Sequence, residues 1–233
     1  MAARLTPFEV DPGLMERMHS MGREHLEDVC RLHEAAMGNS LWARLGRPFL
    51  LAVYSGLVED RDFVGFVYQE DGRTRGFIAG TTNGPRMLRA VMRGHLFRLS
   101  SATLRGVMRR PRALLPLLET LLYFRRSEPL GLEGVTAESM FCSFEEGLRG
   151  KRISGLINKL LFDELAARGH DRVKITTEVN NAGAVRQLSS WGFEQAGRFR
   201  FYGKEMTVWV LDLESCERVD RPEEIIGRRR QEV

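Results

Sequence analysis

One stretch of the chain has the residue types and spacing for chemistry on a phosphorylated ligand. Residues 137–144, AESMFCSF, read as a strand, residues 145–151 as a loop, and residues 153–168 as a helix that the loop opens directly. The junction runs Glu145-Glu146-Gly147-Leu148-Arg149-Gly150-Lys151-Arg152-Ile153-Ser154. The first N–H groups of a helix have no intrahelical acceptor, and the helix dipole adds partial positive charge at the same end. A helix start of this kind suits a pyrophosphate. GxxxxGK[ST] and GxGxxG are both absent, which argues against a P-loop and against a dinucleotide fold.

Other reactive side chains read as structure. Cys142 stands in an apolar strand with no histidine near it in sequence, so a small core residue is expected there and not a nucleophile. His33 and His170 are isolated in the sequence, so neither supports a metal site. Cys30, Cys142 and Cys216 cannot all pair and form no CxxC, which disfavours a disulfide framework and a zinc ribbon.

The junction resembles the GNAT superfamily of acyl-CoA-dependent N-acyltransferases, whose signature [QR]-x-x-G-x-[GA] lies between the fourth strand and its helix. Arg149-Gly150-Lys151-Arg152-Ile153-Ser154 occupies that place. The family's later N-x-x-A-x-x-x-Y-x-x-x-G-F is matched in part by Asn181-Ala182-Gly183-Ala184 and Trp191-Gly192-Phe193. Three departures stand out. Arg152 replaces the first family glycine, a change that is tolerable if its φ is helical and its side chain meets an anion. Ser154 replaces the second small residue. Leu188 stands where many members carry the tyrosine that protonates the departing thiolate.

The resemblance implies an α/β fold with a mixed sheet and splayed central strands. It also implies acetyl-CoA as co-substrate, held by residues 149–154 (Arg149, Gly150, Lys151, Arg152, Ile153, Ser154) and by Asn181. The backbone at Cys142 and Phe144 would pair with pantetheine like an extra strand. Glu138 looks like the base of histone-type members, and Glu178 on the fifth strand is the second choice. A glutamate on a central strand would have a raised pKa if desolvated. Tyr202 and Tyr123 are candidate acids.

The elements that must position these groups follow from periodicity. Residues 15–21 could be a short first strand, and residues 1–13 an extended tail. Helical spacing of apolar residues marks 24–37 and 45–58. Residues 62–69 and 76–82 read as a hairpin around Glu70-Asp71-Gly72-Arg73. Later come a strand at 172–179, a helix at 181–190, and a hairpin, 193–201 with 205–213, around Tyr202-Gly203-Lys204. Between the third and fourth strands, residues 84–133 form a helical insert. Leu88, Val91, Leu96 and Leu99 should share one apolar face, and 113–124 reads as a second, nearly apolar helix.

The 233 residues thus divide into one acetyltransferase-like domain, 1–213, and a charged tail, 214–233, that reads as solvated. Residues 86–126 hold ten arginines and one acid, so the net charge of +4 belongs to the insert and not to the fold. Such a segment attracts an anionic partner. The insert lacks interleaved aromatics, so nucleic acid is the poorest candidate. No run approaches the roughly 20 apolar residues of a membrane span, and no apolar signal core is present, so a cytoplasmic location is expected. The expected function is transfer of an acetyl group from acetyl-CoA to a small primary amine, an amino sugar among the options; a homodimer is compatible with this. The alternative is a CoA-binding regulatory or membrane-surface module without catalysis.

Overall fold

Strands that are apolar on both faces demand cover on both faces, and the centre of this chain has such strands. The computed structural model describes residues 10–38, 40–94, 103, 132, 134–148, 151–201 and 203–220. The expected helix 113–124, Leu96, Leu99, Tyr123, Arg149, Gly150, Tyr202 and the chain beyond 220 lie outside the described residues.

In chain order come α1 (Pro12–Met15), β1 (Met18–Ser20), α2 (Leu26–Met37), α3 (Leu41–Arg44), α4 (Arg47–Glu59), β2 (Phe63–Glu70), β3 (Arg73–Thr81) and α5 (Gly84–Gly94). There follow β4 (Ala137–Phe144), α6 (Ile153–Ala167), β5 (Arg172–Glu178), α7 (Ala182–Trp191), β6 (Glu194–Phe201) and β7 (Lys204–Asp212). The strands form one sheet in the order β1-β2-β3-β4-β5-β7-β6. Every neighbouring pair is antiparallel except β4 and β5, which are parallel.

Two cores sandwich the sheet. On one face, α2 and α4 bury Val29, Leu32, Leu50, Val53 and Leu57 with Phe77 and Ala79 of β3. On the other, α6 buries Ile157, Leu161, Phe162 and Leu165 with Ile78, Ala137 and Val173, and α7 adds Leu188 and Trp191. Each such side chain contributes roughly 2 kcal/mol of apolar burial. The β2–β3 turn has Asp71 at φ 53 and Gly72 at φ 72, the paired left-handed residues of a two-residue hairpin loop.

Four expectations are corrected. The 15–21 strand is only Met18–Ser20, because Pro12 starts a short helix that Asp11 caps through the amides of Gly13 and Leu14; Pro12 and Gly13 are therefore helical and not extended. The buried face of α5 is Met87 and Val91, with Leu88 half-buried and Met92 exposed, so the apolar stripe is shifted from the expected one. The third concerns 214–220, which are not a solvated tail. Leu213, Cys216 and Val219 are buried against α6 and α7. The buried Lys159 ammonium meets Asp163 at 3.0 Å, Asp220 at 2.8 Å and the carbonyl of Arg218 at 3.0 Å. The fourth is Cys142, exposed and not a core residue, because the neighbouring strands part beside it.

Candidate active site

The parallel pair β4/β5 holds for three residue pairs only: Ala137 with Val173, Glu138 with Lys174, and Ser139 with Ile175. Beyond them β4 runs on to Phe144 and β5 to Glu178 without pairing, so a wedge opens toward their C-terminal ends. A bulge starts the divergence. Ala79 faces Phe141 and Gly80 faces Ser139, which leaves Met140 as the extra residue. Gly80 is required beside it, since a Cβ there would stand 2.8 Å from Leu161 and 2.9 Å from the carbonyl of Glu138.

The phase of the β3–β4 ladder decides which β4 backbone groups face the wedge. The Glu145 amide donates to the Arg75 carbonyl at 2.9 Å, and Gly76 lies opposite Phe144. In an antiparallel pair, bonded and non-bonded positions alternate. Phe141 and Ser143 therefore point their backbone groups at β3, and Cys142 and Phe144 point theirs across the wedge.

The loop after β4 is braced at its entry. Glu145 binds Arg31 and Arg75, each at 2.9 Å, and these guanidinium groups, Arg75 first, hold its carboxyl below the ordinary range. Arg31 also donates to the Thr74 carbonyl, and Arg75 pairs with Glu70. Arg152 is the N-cap of α6, with φ 60 and ψ 1, and no side chain caps this helix start. The condition of a helical φ at Arg152 is thus not met; the residue takes the left-handed backbone for which glycine is suited. Lys151 and Arg152, with Leu156, form one side of a pocket of about 380 Å³ whose other side is Val10, Asp11, Pro12 and Leu14. Ser154 accepts at its carbonyl from the Asn158 amide at 2.7 Å, and Ile153 is buried.

Glu138 sits at the wedge vertex, opposite Thr81 on one side and Lys174 on the other. It is half-buried, and among the described residues its carboxylate makes no hydrogen bond and no ion pair. Desolvation raises its pKa, with the Lys174 charge pulling the other way. A Cβ on Gly84, the first residue of α5, would lie 3.3 Å from its Oε2, so the insert enters directly beside this carboxylate. Glu178 lies at the far end of β5 and is ion-paired with Lys204. The Asn181 side chain caps α7 by accepting from the Ala184 amide at 3.1 Å. Leu188 is buried in the core, so no phenol stands at that position. Although the Cys142 side chain is exposed, the atoms packed around it raise its thiol pKa, with Asn158 pulling the other way.

His33 is not isolated in space. Its Nδ1 bonds the Tyr54 hydroxyl at 2.9 Å, its Nε2 lies 3.3 Å from Ser40 Oγ, and its ring stacks on Trp42 and meets the edge of Phe141 on β4. Burial lowers its pKa to about 4. Lys174 and the Arg31–Glu145–Arg75 brace were not anticipated from the sequence. A charged residue between Val173 and Ile175 in a central strand was the available signal for Lys174.

No family model and no curated protein sequence matches the chain. Solved structures do. An N-acetyltransferase from Staphylococcus aureus Mu50 is 15% identical, with 84% of this chain and 97% of that one covered and a TM-score of 0.54. The ribosomal-protein-S18-alanine N-acetyltransferase from Escherichia coli is 12% identical over 84% and 92%, at 0.52. A putative acetyltransferase from Acinetobacter baylyi ADP1 is 12% identical over 85% and 93%, at 0.55. At these identities the likeness is one of fold. This chain has the GNAT-type acyltransferase fold, with splayed central strands and an insert between the third and fourth.

Proposed function

We propose that the protein is an N-acetyltransferase that moves an acetyl group from acetyl-CoA to a small primary amine. The observation that carries this is the wedge: backbone groups of Cys142 and Phe144 face it, the start of α6 without a side-chain cap stands past its open end, and a carboxylate with no ion pair among the described residues lies at its vertex. Acetyl-CoA, when bound, supplies an activated acyl group. The wedge-facing backbone of β4 would hold pantetheine, and the amides from Arg152 to Gly155, with the Lys151 and Arg152 side chains, would hold the pyrophosphate. Arg149, Gly150 and Asn181 complete the set carried over by resemblance.

An alkylamine with a pKa near 10.4 is mostly protonated at neutral pH and cannot attack in that form. Glu138, raised in pKa by desolvation, takes that proton directly or through water. A β4 amide facing the wedge donates to the carbonyl oxygen as it gains charge. With Leu188 buried, water protonates the departing thiolate, which is a good leaving group because thiol pKa values lie near 8.5. Glu178 would have to give up Lys204 to serve as base, which ranks it second.

No described helix is long and apolar enough to cross a membrane. Three free cysteines and a metabolic co-substrate favour the cytoplasm. The amine remains broad, an amino sugar included, and a homodimer is compatible with the reading. A non-catalytic CoA-binding module is the second reading, favoured by Arg152 and Leu188. A thiol-release assay with acetyl-CoA across a panel of amines decides: amine-dependent release supports the enzyme, and binding without release supports the module.

A further inference from the structure

We propose that the acceptor amine carries an anionic group of its own, and that Lys174 binds that group. This rests on the acyltransferase reading and goes beyond it by naming the acceptor's charge. Lys174 and Glu138 are direct neighbours across the parallel pair, one residue pair before the strands part. Their neighbours in sequence, Ala137 and Val173, are buried on the α6 face, so both charged side chains emerge on the opposite face. Both are half-buried, yet they close no ion pair with each other, and neither makes any other hydrogen bond or ion pair among the described residues.

The charges around Lys174 can be enumerated. Across β7 it faces Val210, and the next residue of β5 on the same face is Thr176. Glu178, one step further, is engaged by Lys204. Glu194 of β6 lies opposite Val210, one strand further away. Among the described residues of the sheet, Glu138 is thus the acidic side chain directly beside Lys174. Keeping two unlike charges half-buried without direct contact leaves both imperfectly solvated. A ligand with complementary charges relieves both: its amine nitrogen lies against Glu138 and its anionic group against Lys174. Neighbouring strands are about 4.8 Å apart, so the two ligand groups are separated by only a few bonds. An ammonium is a compact point charge that takes a carboxylate or a phosphate without fixed geometry, so Lys174 specifies the sign and not the shape.

The test compares matched acceptors with acetyl-CoA: 3-aminopropanoate against 3-aminopropanol, and phosphoethanolamine against ethanolamine. The wild type should favour the anionic member of at least one pair by about tenfold or more in kcat/KM, and the pair that shows it distinguishes carboxylate from phosphate. Lys174→Met should erase that preference, and Lys174→Arg should keep most of it. A wild type without preference, or a preference that survives in Lys174→Met, overturns the inference. So does a parallel loss on both members of a pair with a shifted pH profile, which would mean that Lys174 only tunes Glu138. If Lys174→Met does not fold, judged by circular dichroism, the wild-type preference and the arginine variant still decide. A wild type that releases no thiol with any amine sinks the acyltransferase reading itself, an outcome visible before any variant is compared.

Discussion

Glu138→Gln should make the protein more stable and less active at once. The carboxylate is half-buried without a hydrogen bond or ion pair among the described residues, and desolvation raises its pKa. The folded protein therefore holds this proton more tightly than the unfolded chain does. Its stability contribution is fully present below the ordinary carboxylate pKa and is lost as pH rises through the raised folded value. Each unit of that shift costs about 1.4 kcal/mol at neutral pH. Glutamine keeps the shape and cannot ionise, so the variant escapes the cost. Melts across pH 4 to 8 should show the variant above the wild type at pH 8 and the two converging toward pH 4. In thiol-release kinetics the variant should lose about 10²-fold or more in kcat, on the order of 2.7 kcal/mol of barrier. The wild-type rate should climb with pH through the raised pKa, and the variant should lack that limb. A variant less stable than wild type at pH 8 would show that something holds the carboxylate in its charged form. A near-normal rate at pH 7 would move the base to Glu178 or to solvent.

Arg152→Gly should raise stability by about 1 kcal/mol in denaturant melts, because Arg152 sits at φ 60, where a side chain costs about that much; acetyl-CoA affinity should fall if the guanidinium meets phosphate. Lys159→Met should cost about 3–5 kcal/mol, since it removes the buried ammonium that both Asp163 and Asp220 bind; a midpoint shift under 1 kcal/mol would mean that 213–220 is not pinned there. His33, with its pKa lowered to about 4, adds no pH dependence above pH 6.5 and destabilises as pH falls from there toward 4. That acid loss is on the order of 3 kcal/mol and should flatten in His33→Gln, read by melts at each pH.

The α6 element was legible because Leu156, Ile157, Leu160, Leu161 and Leu165 recur at helical spacing and Gly169 stops them. Both two-residue hairpins were legible because the turn residues Asp71, Gly72 and Gly203 tolerate positive φ. Long-range pairing was less so. That Cys142 would be exposed follows from where β4 and β5 part, which is set by a bulge at Met140 that leaves no local trace in AESMFCSF. The 214–220 segment read as solvated because its charges are visible in sequence, whereas the acceptors around Lys159 that bury it are assembled from distant positions. Arg152 taking a left-handed backbone was hidden for a related reason: the helix start is fixed by packing of Ile153 and Leu156. Of the site, Glu138 and the α6 start were readable from local pattern, and Lys174 became significant only through its register with Glu138.

The central claim is that acyl-CoA lies in the β4–β5 wedge with its pyrophosphate at the start of α6. A titration of the isotope-labelled protein with acetyl-CoA, following backbone amide resonances, tests it most directly. The account predicts saturable shifts concentrated at Cys142, Phe144 and residues 152–155, with the α2–α4 face little affected. Amide shifts confined to other surfaces, or none at millimolar acetyl-CoA, would contradict it.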